Sequence, residues 1–328
     1  MRYIDHGAGG AAECMQLKDG PRPLPAAGQI LIEVAFAGVN RPDVLQRSGR
    51  YPAPMDASPV LGLEVSGTVA AVGNGVSEWK VGDRVTSLVP GGGYAEFCLA
   101  PASHALPIPV NMSMASAAAL PEVWYTVWAN LINLGHLKSG ERLLVHGGSS
   151  GIGLCAIQLA KHLGAECIVT VGSDEKAKFC VEFGAQHAIN YQTEDFARRV
   201  LECTHNEGVE VVLDMVGIPY FQRNLGVLRR DGRLVSIAFL QGSKGEVDLL
   251  PVMMKRLTLT GSTMRARSVA EKAALRDALL TNIWPALARG ELTPHVCETF
   301  ALEDVAKAHQ LMESSRHIGK IVLRVKEE

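Results

Sequence analysis

No two of the chain's seven cysteines stand as a C-x-x-C pair, and an odd number cannot close completely into disulfides. Several lie inside apolar helix or strand patterns and read as small core residues. This usage fits a reduced, cytoplasmic protein. No apolar stretch is long enough to span a bilayer, and Met1-Arg2-Tyr3-Ile4-Asp5-His6 does not read as a signal peptide. Charge of either sign is nearly balanced. A net charge of −2 leaves no electrostatic case for nucleic acid or an anionic membrane. Internal repeats, low-complexity tracts and long linkers are missing as well. What remains is 328 residues with 47% apolar and 20% charged side chains, a soluble globular composition with room for two cores.

The most informative stretch is Leu143-Leu144-Val145-His146-Gly147-Gly148-Ser149-Ser150-Gly151-Ile152-Gly153. Leu143 to Val145 reads as a strand and is followed by a turn of small residues. Ile152, Ala156, Ile157, Ala160 and Leu163 then recur at helical spacing, with Gly164 where a C-cap falls. A strand, a tight turn and a helix N-terminus present backbone N–H groups to a pyrophosphate. The frame Gly148 to Gly153 departs from G-x-G-x-x-G, because Ser150 replaces a glycine. Val169-Thr170-Val171 lies about 20 residues on, where the second strand of a dinucleotide fold belongs. Val211 to Asp214, Leu234 to Ile237 and Leu257 to Thr260 continue at βα spacing, which predicts a parallel, doubly wound sheet.

The first 122 residues differ. Ile30–Phe36, Val65–Gly73, a strand at Val85 and Gly93–Leu99 are short strands broken by glycine turns, the pattern of a small β barrel. Helical periodicity runs from Ser116 through Leu134. One helix is expected at Val269 to Ala288 and another at Glu303 to Glu313. Ile318 to Val325 closes as a strand that returns to the first domain.

Several motifs together carry a family resemblance over essentially the whole chain. They are Gly38-Val39-Asn40-Arg41-Pro42-Asp43 with Gly49-Arg50-Tyr51-Pro52, Leu61 to Gly67, Gly82-Asp83-Arg84-Val85, His146 to Gly153, Gly172 to Lys176, Ile189-Asn190-Tyr191, and Gly319 to Leu323. In this order and spacing the chain resembles the medium-chain dehydrogenase/reductases of the quinone oxidoreductase (zeta-crystallin) branch, the tumour-suppressor-inducible type above all. The resemblance implies an α/β protein. A GroES-like β-barrel catalytic domain would occupy 1–122 plus 264–328, a Rossmann NADPH-binding domain 123–263, and the active site the cleft between them.

It also bears on metal. Zinc-dependent relatives have a cysteine where Asn40 stands, a histidine where Leu63 stands and a further cysteine near Glu122, so no catalytic zinc is expected. The four close cysteines of their structural zinc lobe are missing. His104, His136 and His146 stand alone and read as surface or core residues. For the cofactor, the resemblance implies Gly148, Ser149, Ser150, Gly151, Ile152 and Gly153 at the pyrophosphate. Ser173, Lys176 and Tyr191 would hold a 2′-phosphate. Thr126 would contact the nicotinamide phosphate, and Val216, Phe239 and Leu240 would hold ribose and nicotinamide. Without the resemblance, Lys176 is a solvated helix residue and Tyr191 a packing residue. Asp174 and Glu175 would repel a phosphate unless the next helix turns them away.

Without zinc, an NADPH-dependent reductase needs an acceptor that is already electrophilic, a quinone or an α,β-unsaturated carbonyl. Asn40 would hydrogen-bond its oxygen, and Tyr51, with an ordinary phenol value of about 10, would supply a proton. Asn40 as a turn residue and Tyr51 as packing before Pro52 are the plainer readings. Asp43 is expected to cap a helix. The alternatives are a 2-enoyl-thioester reductase, with Arg265 and Arg267 at a basic rim, and an NADPH-binding protein without catalysis. Leu257 to Thr260, as an apolar sheet edge, predicts a homodimer.

Overall fold

The structure is a computed structural model and describes residues 1–326. It divides into two compact units, Met1–Tyr125 together with the stretch from Arg265 onward, and Thr126–Met264.

In the first unit seven strands form one sheet. Its spatial order is Val296–Ala301, Lys320–Arg324, Gln29–Val39, Glu64–Val72, Arg84–Leu88 and Ala105–Pro107, while Phe97–Pro101 also pairs with Gln29–Val39. All neighbours are antiparallel except the first two. Gln29–Val39 is the trunk. It serves two apolar clusters, one with Ile30, Ile32 and Val34, the other with Phe36 against Met114, Ala118 and Val322, and the change falls at a register irregularity between Val34 and Phe36. The closing strand pairs with this trunk, Val322 opposite Gly38, as its sequence predicts. Its parallel neighbour Val296–Ala301 has no apolar run to announce it.

Proline corrects two helices. The segment expected as one helix from Val269 to Ala288 is two, Val269–Asn282 and Trp284–Ala288. Pro285 has no N–H to donate and its ring collides with the preceding turn. The periodicity from Ser116 to Leu134 likewise resolves into Met114–Ala117, Pro121–Val127 and wider π-helical turns over Trp128–Leu134.

In the second unit six strands run in parallel in the order His187–Asn190, Glu166–Val171, Arg142–His146, Val209–Asp214, Leu228–Ser236, Thr258–Gly261. Chain order reverses beside Arg142–His146, which is the switch point of a doubly wound sheet. Leu143, Leu144, Val145 and His146 are completely buried, as a strand covered on both faces requires. His146 is polar in that core, and it bonds Thr170 Oγ1 at 2.9 Å and Asn224 Oδ1 at 2.8 Å.

Helix Gly151–Leu163 sits directly on the turn before it. A Cβ on Gly153 would lie 2.3 Å from the Gly148 carbonyl oxygen. Gly153→Ala is therefore expected to cost about 1–3 kcal/mol in urea unfolding, and a variant as stable as the wild type would contradict this packing.

Candidate functional site

Each unit carries a polar constellation. In the parallel-sheet unit the small-residue turn leaves Arg142–His146 at its carboxyl end. Gly147 has φ +75°, and a Cβ on Gly148 would lie 2.4 Å from Val169 Cβ. The backbone can come this close only with glycine at these positions. Ser150, where a third glycine was expected, is extended at φ −74° and needs no glycine. Its hydroxyl instead accepts the Gly153 N–H at 3.0 Å and caps the helix. Ser149 is buried and Ile152 half-buried. The remaining amides at this helix start form a seat for an anion.

Beside it, Glu166–Val171 ends at Gly172, where a Cβ would lie 2.8 Å from Tyr191 Oη. Ser173 caps the next helix and accepts the Lys176 N–H at 3.3 Å. Asp174 and Glu175 are exposed in its first turn, and Asp174 Oδ1 accepts from Asn190 Nδ2 at 2.7 Å. That bond engages the carboxylate with its neighbour. Gly172, Ser173 and Tyr191 are thus brought together, with half-buried Lys176 one turn along the helix.

Asp214 closes the adjoining strand. It accepts the amides of Val216 at 2.8 Å and Gly217 at 3.2 Å. Burial raises its carboxyl, against the pull of those two amides, to about 6. The Val216 loop is laced to the Phe239–Leu240 loop through Leu240 N to Met215 O and Gln241 N to Val216 O. Both Phe239 and Leu240 are exposed. Thr126 is half-buried, and its carbonyl accepts from Asn130 Nδ2.

The first unit holds the other constellation. Lys320 Nζ lies 2.5 Å from Glu64 Oε1 and 2.6 Å from Asn40 Oδ1. Asn40 Nδ2 donates to the same Glu64 oxygen at 2.9 Å, and Glu64 Oε2 accepts the Glu122 N–H at 2.9 Å. Asn40, Glu64 and Lys320 are all buried. The Asn40 amide is thereby fixed in orientation, with one N–H still to give. Asp43 lies one helical turn on. Its carboxylate accepts from Asn40 N at 2.8 Å, Tyr94 Oη at 3.0 Å and Gly62 N at 3.3 Å, so it caps the Arg41–Arg47 helix. Arg47 Nη1 meets His309 Nδ1 at 3.2 Å, and Tyr94 Oη meets His309 Nε2 at 3.1 Å. Arginine can only donate, so Nδ1 accepts and Nε2–H donates to Tyr94. Burial and the Arg47 charge push His309 down to about 3, which keeps it neutral.

Tyr51 is half-buried beneath Arg265, whose guanidinium carbon is 5.6 Å from the ring centre. Arg265 is clamped by Gln46 Oε1 at 2.7 Å and the Pro90 carbonyl at 2.9 Å. Arg267 lies 3.8 Å from Glu271. His104 donates from Nε2 to the Val269 carbonyl, and His136 is exposed. The roles of Glu64, Lys320, Glu122, Tyr94 and His309 escaped the sequence. The available signal was a charge set into an apolar strand pattern, as at Glu64 and Lys320. Zinc does not fit here. Leu63 has no donor atom and the Asn40 amide is already engaged. Among the described residues no three His, Cys, Asp or Glu side chains are placed to hold a metal.

A parallel six-stranded nucleotide-type sheet joined in one chain to a GroES-like unit defines a two-domain dehydrogenase or reductase class. Residues 26–110 match the alcohol dehydrogenase GroES-like domain and 151–279 the zinc-binding dehydrogenase domain. A quinone oxidoreductase of Lama guanicoe is 32% identical over 331 residues, covering 99% of this chain and 98% of that protein. The Escherichia coli quinone oxidoreductase solved with NADPH superposes with a TM-score of 0.89 at 32% identity, over 99% of this chain and all of that one. The CurK enoyl reductase does so at 0.88 and 28% identity, over 99% of both chains. The chain also matches a Mycobacterium tuberculosis phenolphthiocerol/phthiocerol polyketide synthase subunit, 31% identical over 96% of this chain, and spans only 14% of that protein's length. The chain belongs to the medium-chain dehydrogenase/reductase superfamily, with quinone oxidoreductases among its full-length relatives.

Asp214→Ala would leave the Val216 and Gly217 amides without their acceptor. It is expected to cost about 1–3 kcal/mol in urea unfolding, and no loss would contradict the role given to Asp214.

Proposed function

We propose that the chain is a zinc-independent, NADPH-dependent reductase of quinones or related enones. The observation that carries this reading is the donor set around Asn40. A neutral amide and carboxyl groups stand where a metal would otherwise polarise a carbonyl. Such a site suits an acceptor that is electrophilic by itself. The likeness to a quinone oxidoreductase solved with NADPH supports the cofactor.

In this reading the Gly148–Gly153 turn, with Ser149, Ser150, Gly151 and Ile152, binds the pyrophosphate through backbone amides and the helix dipole. Ser173, Lys176 and Tyr191 bind the 2′-phosphate, which a hydroxyl, a cation and a phenol complement. Thr126 contacts the nicotinamide phosphate, and Val216, Phe239 and Leu240 hold ribose and nicotinamide. Bound NADPH supplies the hydride. The spare Asn40 N–H stabilises charge that develops on the acceptor oxygen, and Tyr51 orients the acceptor. A reducing compartment such as the cytoplasm suits a chain whose seven cysteines are free thiols, four of them buried. No helix among the described residues is long and apolar enough to cross a membrane.

A second reading, 2-enoyl-thioester reduction, is favoured by the likeness to enoyl reductases. The test is NADPH oxidation by chelator-treated protein with an ortho-quinone, a simple enone and an enoyl-coenzyme A. Turnover of the quinone is expected. Turnover of the thioester alone would transfer the assignment to enoyl reduction. Lys176→Ala is expected to lose about tenfold or more of the preference for NADPH over NADH in calorimetric binding. An unchanged preference would remove Lys176 from the phosphate site.

A homodimer completes the proposal. Thr258–Gly261 is the unpaired edge of its sheet and Leu259 is 38% exposed there. Light scattering is expected to return twice the chain mass of 35.1 kDa, and the single-chain mass would exclude the dimer.

A further inference from the structure

Three acidic residues gather near Asn40, Asp43 and Glu64 through their carboxylates and Glu122 through its backbone N–H to Glu64, and the Glu122 carboxyl has no task in the reading above. Asp43 is occupied by three donors, and Glu64 by Lys320, Asn40 and the Glu122 amide. Both are fully buried. The Glu122 side chain is half-buried, and it has no ion-pair partner among the described residues. The Glu122 backbone N–H donates to Glu64, the carboxylate that also orients Asn40, which sets the residue beside that cluster. We propose that Glu122 is the acid that protonates the acceptor during reduction, a role that rests on the reductase reading.

The charged and titratable groups around Glu122 come from every element packed there. They are Glu64, Asp43, Lys320, Lys272, Tyr51 and Arg265. Burial raises Glu122 to about 8, with the Glu64 and Asp43 carboxylates adding to it and Lys320 and Lys272 pulling back. The acid is therefore protonated at neutral pH. The same forces act on Tyr51 in the wrong direction for a donor. Burial and the Glu122 charge raise its phenol above the ordinary 10.0. A proton donor works best when its value lies near the working pH, and Glu122 meets that condition where Tyr51 does not.

The step balances. The acceptor gains a hydride with its electron pair, the Glu122 O–H bond breaks, and its proton forms an O–H bond on the acceptor oxygen. A quinone leaves as hydroquinone, NADPH is oxidised to NADP⁺, and the Glu122 carboxylate regains a proton from water.

The test uses the full chain and the variants Glu122→Gln, Glu122→Asp and Tyr51→Phe. A protonated-carboxyl infrared band at pH 7 should weaken on Glu122→Gln. Folding should bind a proton between the ordinary 4.5 and about 8, so wild-type stability should fall as pH rises through that window. Glu122→Gln should lose that fall. With quinone, kcat should drop about a hundredfold in Glu122→Gln with KM little changed. The alkaline decline in wild-type kcat should vanish with it, yet persist in Glu122→Asp and Tyr51→Phe. A wild type that turns over quinone while Glu122→Gln keeps full kcat and the same alkaline decline overturns the acid alone. An infrared band or stability profile unchanged by Glu122→Gln overturns it too. A wild type that reduces no acceptor sinks the reductase reading, and the proposed acid with it.

Discussion

The buried pair between Lys320 and Glu64 is the constraint on which the first unit's chemistry depends. Neither charge reaches water, so each is tolerable only because the other is there. Around them the remaining polar atoms find partners. Lys320 spends one more proton on the Asn40 carbonyl, Glu64 takes one from the Asn40 amide, and its second oxygen takes one from the Glu122 backbone. Four segments far apart in the chain are tied at this point. They are the end of the Gln29–Val39 trunk, the start of Glu64–Val72, the start of Pro121–Val127 and the closing strand. The result is an amide held in one orientation, with its oxygen and one N–H both engaged. A loose surface cluster would not hold it.

The second unit reaches its geometry by the opposite means. Its turn has few polar side chains and depends on atoms that are missing. Gly148 lets Val169 approach, Gly153 lets the helix sit on the turn, and Gly172 leaves room for the Tyr191 hydroxyl. Ser150 shows where glycine is unnecessary, since an extended residue with a capping hydroxyl serves better there. One buried carboxylate, Asp214, then organises the adjoining loop by accepting two of its amides.

Much of the fold was legible in the sequence because it was written locally. Leu143 to Val145 is a continuous apolar run, the small-residue turn follows at once, and the closing strand is three apolar residues, Ile321 to Leu323, behind Gly319-Lys320. Val296–Ala301 was not legible, because Glu298 and Thr299 are exposed and no period-2 pattern survives. The break at Pro285 was legible in principle, since proline stops a helix wherever it falls within one. Most of the second unit's candidate residues lie on such local turns. The first unit's cluster was hidden for a different reason. Glu64 and Lys320 are 256 positions apart, and Glu122 meets Glu64 across 58. Local pattern cannot report a bond made by tertiary packing. Asn40 and Tyr51 were visible through their motifs, but the carboxylate and ammonium that hold the Asn40 amide were not.

The most direct measurement is a double-mutant cycle on Glu64→Gln and Lys320→Met, read by urea unfolding. Each single change is expected to cost about 3–5 kcal/mol, because it strands a buried charge. The double variant should cost less than the two together by about 2 kcal/mol or more. Costs that simply add, within about 0.5 kcal/mol, would show that the two charges do not depend on each other and would contradict the account of the site.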